Sequence, residues 1–205
     1  AFHVDDRDTL VAFMRAHNFA SVVTNGSAGL AATPVPVIIH DDGQVLRITG
    51  HFAKANPQAQ DLYDNEGLIL FSGPHAYVSP TWYEARESVP TWNYMAVHVY
   101  GRLRSWRVDD APTETEQMLT DLIQQHEPAY HAQWESLSDR YRDGMRHGIV
   151  GFELTAARVE GKFKLSQNRP AADQTAVAAG LNASSNADER ATGEAMKRLQ
   201  EKNTP

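Results

Sequence analysis

The stretch FASVVTNGSAGLAATPVPVIIHDDGQVLRIT, residues 19–49, decides the fold class. Phe19 to Thr24 is a β-branched run, and Asn25-Gly26 is a turn signal. Leu30 to His40 is extended, Asp41-Asp42-Gly43 marks another turn, and Gln44 to Thr49 is a further strand. Strands joined by connections this short pair antiparallel, because a parallel crossover needs a dozen or more residues. Pro34 and Pro36 face the same way, which a strand tolerates only at an edge or a bulge.

On the N-terminal side, Asp5 and Asp6 precede an amphipathic helix over Arg7 to Ala16, where acidic residues suit the exposed amides of a helix start. On the other side, Gly50 to Pro57 breaks the strand pattern and leads into a short polar helix, Pro57 to Tyr63, with proline at its favoured first position. Gly67 to Phe71 is a short buried strand. Ser72 to Pro90 reads as a loop dense in aromatics, and Thr91 to Arg107 as a long strand. Helical spacing covers Asp109 to Gln125 and then His131 to Met145. Ile149 to Leu154 and Arg158 to Leu165 are strands. From Pro170 the composition turns to Ala, Asn and Ser, and Ala187 to Glu201 is a polar helix with little to bury. The expected organisation is one domain over 1–170, with a helical insertion over about 109–146, and a helical tail over 171–205 that docks on a neighbour or frays. No strand–glycine turn–helix unit of the dinucleotide type occurs, so a doubly wound sheet is disfavoured. The pattern fits a mainly β protein, a small antiparallel barrel with peripheral helices.

Composition narrows the function. The 205 residues carry a formal net charge of −7, the wrong sign for a domain that binds nucleic acid by itself. The absence of cysteine excludes disulfides, zinc–thiolate sites, iron–sulfur clusters and a thiol nucleophile. Apolar runs such as Leu68 to Phe71 are strand-sized, so no membrane span is expected. Asp5, Asp6 and Asp8 stand where a signal peptide would be basic, and a cytoplasmic protein is expected. His126-Glu127 with His131 misses the zincin spacing and is interrupted by Pro128, so no metal site is expected. No nucleophile elbow or phosphate-binding loop occurs. No catalytic acid or base stands out beyond His51, His75 and His98.

Four segments share a chemical theme. Thr49-Gly50-His51-Phe52-Ala53-Lys54-Ala55-Asn56-Pro57 places a hydroxyl, an imidazole, an ammonium and an amide around a strand-to-helix turn, a mixture suited to a phosphate monoester. Gly73 to Tyr83 holds Tyr77 and Trp82, which could wall a planar ligand, with Ser79 as a hydrogen-bonding group. Val89 to Tyr94 brings Trp92 and Asn93. Gly161 to Arg169 collects Lys162, Lys164 and Arg169, inviting an anionic partner. Each residue also has a plainer reading. Lys54 is then a solvated lysine, Trp82 and Trp92 are packing, Tyr77 fastens the loop, and the late basic run blunts a sheet edge. Spacing alone supports a small barrel that binds an anionic aromatic ligand.

Taken together and in order, these segments resemble the PaiB-type family of FMN-binding negative transcriptional regulators, over nearly the whole chain from Phe2 to about Leu181. That family lies in the FMN-binding split-barrel group, with pyridoxine 5′-phosphate oxidase-like proteins and flavin reductases. The resemblance implies a six-stranded antiparallel split β-barrel and a two-fold homodimer with FMN at the subunit interface. Thr49 and Lys54 match the group's phosphate segment, and His51 and Asn56 belong to this family's version of it. The oxidases carry an arginine beside the matching lysine where this chain has Ala53. Lys164 and Arg169 match late basic residues that approach the flavin from the partner subunit, and Trp92 and Asn93 lie where the group contacts the ring. The implied function is FMN binding with a negative regulatory role, exerted indirectly or through a flavin-dependent activity. The alternative is a flavin-dependent oxidoreductase acting on a small-molecule substrate.

Overall fold

The computed structural model describes residues 2–27, 29–60 and 65–202. Asp6 opens the first helix, its carboxylate accepting the Thr9 amide at 2.9 Å. A two-residue strand β1 (His3–Val4) precedes that helix, α1 (Arg7–Ala16). The meander follows as β2 (Phe19–Gly26), β3 (Gly29–Asp41) and β4 (Leu46–Ala53). The Asn25-Gly26 signal falls slightly early. Asn25 pairs with Leu30 and Gly26 with Gly29, so the ladder runs through both residues before the chain turns. At the second turn, Asp42 accepts the amides of Gln44 and Val45, which holds its carboxyl below the usual carboxylate range. The two prolines sit as expected of an edge. Pro34 and Pro36 pair with β2, while the pairing of β3 with β4 begins only at Val37.

Next come α2 (Pro57–Gln60), β5 (Asn65–Val78) and β6 (Thr91–Trp106). The last residues expected in the short helix, 61–63, lie outside the described residues. Strand β5 corrects the aromatic loop, since Ser72 to Val78 continues the strand. Gly73-Pro74 reads as a breaker, but the pairing of β5 with β2 ends at Leu70, so the missing Pro74 amide removes no bond to β2. The second helical stretch is two helices. After α3 (Pro112–His126) come α4 (Tyr130–Ser136) and α5 (Asp139–His147), the latter begun by the Ser138 hydroxyl accepting the Tyr141 amide. The two late strands are one, β7 (Ile149–Lys164), because Thr155-Ala156-Ala157 holds no turn former. Helices α6 (Ala171–Asn182) and α7 (Ala187–Lys202) end the described chain.

The strand order is β1-β7-β4-β3-β2-β5-β6, and β6 also pairs with β7. Six strands therefore close on themselves, with β1 added outside the ring. The pairs β1–β7, β2–β3, β2–β5, β3–β4 and β4–β7 are antiparallel. This is the mainly β, split-barrel architecture expected, with seven strands where the six of the ring carry the barrel.

The chain divides into two compact units. The barrel unit comprises Val11–Phe71 and His98–Val159. Its interior is filled by alternate residues of its strands, among them Ile48, Phe52, Ile69, Leu103, Phe152 and Leu154, all essentially inaccessible. Phe52 and Phe152 stack with centroids 5.0 Å apart. Gly101 admits the close approach of β7, since a Cβ there would lie 2.0 Å from the Thr155 carbonyl oxygen. The tail unit comprises Ala1–Leu10, Ser72–Val97 and Glu160–Pro205. The C-terminal helices do not fray. Val177, Ala178 and Leu181 of α6 and Met196 of α7 close over Ala76, Val78 and Leu165. Among the described residues, no helix is long and apolar enough to cross a membrane.

Candidate functional site

In the barrel unit, β4 alternates between the core and the outer face. Leu46, Ile48 and Phe52 are buried, while Arg47, Thr49 and His51 share the opposite side. Thr49 is buried there, its hydroxyl 2.9 Å from His40 Nε2. His51 is half-buried, and its Nδ1 is enclosed without a hydrogen-bond partner. Burial pushes the imidazole pKa below its ordinary value, because charge is costly away from water.

Beyond Ala53 the chain makes a tight turn. The Asn56 amide donates to the Ala53 carbonyl at 2.8 Å, and the Lys54 amide to the Gly148 carbonyl at 2.8 Å. Lys54 therefore sits at the apex of a braced turn. Its side chain is exposed, and its ammonium has no partner among the described residues. Asn56 is spent on structure: Oδ1 accepts the Gln58 amide at 2.9 Å, and Nδ2 donates to the Thr33 hydroxyl at 3.0 Å. The amides at the helix start are thus partly taken, and α2 is a single turn.

Sequence reasoning missed what holds this turn. Gln58 is buried, its Oε1 accepting the Thr33 hydroxyl at 2.6 Å and its Nε2 donating to the Val22 carbonyl and the Thr24 hydroxyl, each at 3.0 Å. Asn56, Thr33, Gln58 and Thr24 form one chain of hydrogen bonds tying the turn to the β2–β3 hairpin. The one local signal is Asn56 before Pro57-Gln58, the pattern of a side chain capping a helix start.

In the tail unit, three of the expected residues meet at a surface. Trp92 is 53% exposed and Tyr77 44%. Their rings meet edge to face at 6.0 Å, and His75 lies 6.2 Å from Trp92. Lys164 Nζ donates to the Trp92 carbonyl at 2.8 Å and to the Thr91 hydroxyl, fixing the backbone under that aromatic face. The other four have structural partners. Ser79 begins the short 3-10 turn Pro80–Trp82, its hydroxyl accepting the Thr81 amide. Trp82 lies flush on α6, where a Cβ on Gly180 would come within 2.7 Å of the indole. Asn93 is fully buried, its amide donating to Ser166 Oγ at 2.9 Å and to Met196 Sδ at 3.3 Å. The Arg169 guanidinium stacks 4.1 Å from the centre of the Tyr83 ring. No group of three histidine or carboxylate side chains is placed to hold a metal ion among the described residues.

The family described as "Putative FMN-binding domain" matches residues 1–158. "Protease synthase and sporulation protein PAI 2" of Bacillus subtilis is 34% identical over 198 residues, 95% of this chain and 93% of that protein. The chain belongs to the PaiB-type FMN-binding family. Among solved structures, this PaiB-type chain resembles the flavocytochrome Anf3 of Azotobacter vinelandii, with a TM-score of 0.59 and 17% identity over 79% of this chain and 69% of that one. It also resembles the FAD and heme binding protein of Mycobacterium smegmatis, with a TM-score of 0.58 and 13% identity over 88% and 80% of the two chains. At these identities the likeness is one of fold.

Proposed function

We propose that this PaiB-type chain binds FMN, with the phosphate held at the Lys54 turn. The observation that carries the proposal is unspent polar capacity on a braced frame. Lys54 is an unpartnered cation at the apex of a turn, and His51 Nδ1, three residues earlier, is an enclosed polar atom without a partner. Nearly every buried polar atom in a protein is satisfied, so an orphan three residues from a free cation on one strand-to-helix turn points to a ligand that completes both. With burial keeping His51 neutral, the ring nitrogen can accept or donate according to tautomer. Lys54 supplies the charge and Thr49 a hydroxyl, while Asn56 and Gln58 fix the turn. Ala53 leaves one cation fewer than the oxidases place there.

The protein is a homodimer in this proposal, because the exposed Tyr77–Trp92 face is an aromatic patch of the kind that pairing covers. The basic segment from Lys164 to Arg169 is contributed by the partner subunit. A bound flavin supplies one- and two-electron chemistry, and the chain binds and orients it. The name of the Bacillus relative ties that protein to protease synthesis and sporulation, processes on which a regulator would act. We place such a regulatory role in the cytoplasm, exerted indirectly or through a flavin-dependent reaction, since an acidic chain is poorly suited to direct contact with DNA.

The test is Lys54→Ala, titrated with FMN and with riboflavin. One charge-assisted phosphate contact corresponds to about a tenfold to hundredfold loss for FMN. Riboflavin has no phosphate, and its affinity should stay nearly constant. Equal losses for both ligands would mean that Lys54 does not read the phosphate.

A further inference from the structure

We propose that the barrel unit carries a second small-molecule site, between the outer face of the sheet and helix α3, built for a zwitterion of the apolar amino-acid class. This reading is independent of FMN binding. The space is a cavity of about 520 Å³, within the usual range for small-molecule pockets.

Its floor is a belt of polar side chains crossing four strands. His40 of β3 pairs with Arg47 of β4, and Thr49 of β4 pairs with Glu153 of β7. Arg104 of β6 reaches Glu153 at 4.0 Å. Its roof is one face of α3, where Thr113, Gln117 and Asp121 recur every four residues beside Glu114. The two surfaces are charged differently. The floor offers the guanidiniums of Arg47 and Arg104 with the Glu153 carboxylate beside Arg104, while the roof offers the carboxylates of Glu114 and Asp121 and no cation.

The charges are also poorly spent on one another. The Arg104–Glu153 and His40–Asp121 separations are both 4.0 Å, too long for direct hydrogen bonds, and the hydrogen-bonding neighbours of Asp121 and His40 are uncharged: Asp121 accepts Gln117 Nε2 at 2.8 Å, and His40 Nε2 lies 2.9 Å from the Thr49 hydroxyl. Arg47 is exposed, and its guanidinium makes no hydrogen bond among the described residues, acting only at longer range on the Asp42 carboxylate. A ligand with an anionic group toward the floor and a cationic group toward the roof satisfies both. A carboxylate matches the guanidinium fork, and an ammonium matches carboxylates. The third requirement is apolar. Trp106 and Met118 line the cavity, and both are almost wholly buried, so the body of the ligand is an apolar or aromatic side chain.

The roof is fixed in place. Trp106 Nε1 donates to the Thr115 hydroxyl at 3.1 Å near one end of α3, and Gln125 Nε2 donates to the Val37 carbonyl at 3.2 Å near the other. Met118, Leu119 and Leu122 pack with Trp106 and Ile149 between those ties. A site whose walls are fastened by packing and hydrogen bonds loses little on binding. Lys54 and His51 do not line this cavity; of the residues assigned to FMN, it shares only Thr49.

The experiment is calorimetric titration of the full chain with L-phenylalanine and L-methionine. Two half-ligands of phenylalanine accompany them, phenethylamine without the carboxylate and 3-phenylpropionate without the ammonium. The expected result is saturable binding of at least one amino acid, with phenylalanine or its analogues showing that each half-ligand binds about tenfold or more weakly than the intact zwitterion. Arg47→Gln and Asp121→Asn, both with unchanged melting temperature, should each weaken the zwitterion by a similar factor, while Lys54→Ala leaves it unchanged. Absence of binding by both amino acids at about 10 mM would overturn the proposal. So would half-ligands that bind as well as the zwitterion, or Arg47 and Asp121 variants that bind like the parent. Loss of binding in Lys54→Ala would assign the signal to the Lys54 turn instead.

Discussion

Replacing Gln58 tests whether the turn that presents Lys54 is held by a buried polar network. Gln58→Ala removes the acceptor of the Thr33 hydroxyl at 2.6 Å and the donor to the Val22 carbonyl and Thr24 hydroxyl at 3.0 Å. Each such bond contributes about 0.5–1.5 kcal/mol net, and a polar group left buried and unsatisfied costs about 1–3 kcal/mol. Thr33 is half-buried, so water can reach part of the gap, whereas Val22 and Thr24 are buried. The expected loss is about 2–4 kcal/mol. For a chain of this length each kcal/mol lowers the melting temperature by roughly 2–4 °C, so the fall should be roughly 4–16 °C. Gln58→Glu is the sharper variant. It keeps the shape but turns the donor into an anion facing a carbonyl and a hydroxyl oxygen, and it should be at least as damaging at neutral pH. Thermal unfolding of the ligand-free protein measures both. A loss below about 0.5 kcal/mol in Gln58→Ala is the size of a surface substitution and would refute the network as the brace. A well-tolerated Gln58→Glu would show that the amide donor is not used.

Two further outcomes follow from the same geometry. The His51 pKa is lowered by burial, so the unfolded chain binds more protons over the interval from the ordinary value of 6.5 down to the folded value. The stability associated with neutral His51 is present above pH 6.5 and is lost as pH falls through the folded pKa; His17 and His98 shift the same way and add to the slope, while His147, raised by its bonds to the Asp143 carbonyl and Asp109, shifts the other way and subtracts from it. Melting temperatures measured from pH 8 to pH 5 should decline on the acid side, less steeply for His51→Gln, and superimposable slopes would count against an enclosed His51. For the dimer, sedimentation should give twice the chain mass, and Trp92→Glu, which places a charge at the centre of the exposed aromatic face, should shift the protein toward monomer. A parent protein that sediments as a monomer while still retaining FMN would remove both the dimer and the interface site.

The architecture was legible where one strand's residues carry its whole signal. The alternation from Phe19 to Thr49, its two turns and its paired prolines fix three antiparallel strands without any knowledge of their neighbours. Errors arose where a local signal depends on the neighbour. Gly73-Pro74 looks like a breaker, and only the end of the β2–β5 ladder at Leu70 shows that a proline there removes no bond to β2. The tail from Ala171 reads as one that docks on a neighbour or frays, and Ala187 to Glu201 as a polar helix with little to bury, because Val177, Leu181 and Met196 are sparse along the chain. Two helices packed together gather them over one patch.

The candidate site divides along the same line. Chemistry was visible in the sequence, but expenditure was not. Thr49, His51, Lys54 and Asn56 have the composition of an anion site, and composition cannot distinguish an amide that binds a ligand from one that caps a helix. The structure makes that distinction by partners: Asn56, Asn93 and Ser79 already hold other parts of the fold, and Trp82 is laid against Gly180. Gln58, which braces the turn, gave no functional signal because its partners come from residues 22 to 33 and meet it only after folding. What remains among Thr49, His51, Lys54 and Asn56, after the fold has used its own polar groups, is a free ammonium on Lys54 and an enclosed, unpartnered nitrogen on His51. That residue-by-residue subtraction, rather than the motif alone, makes the Lys54 turn the place to look for the phosphate.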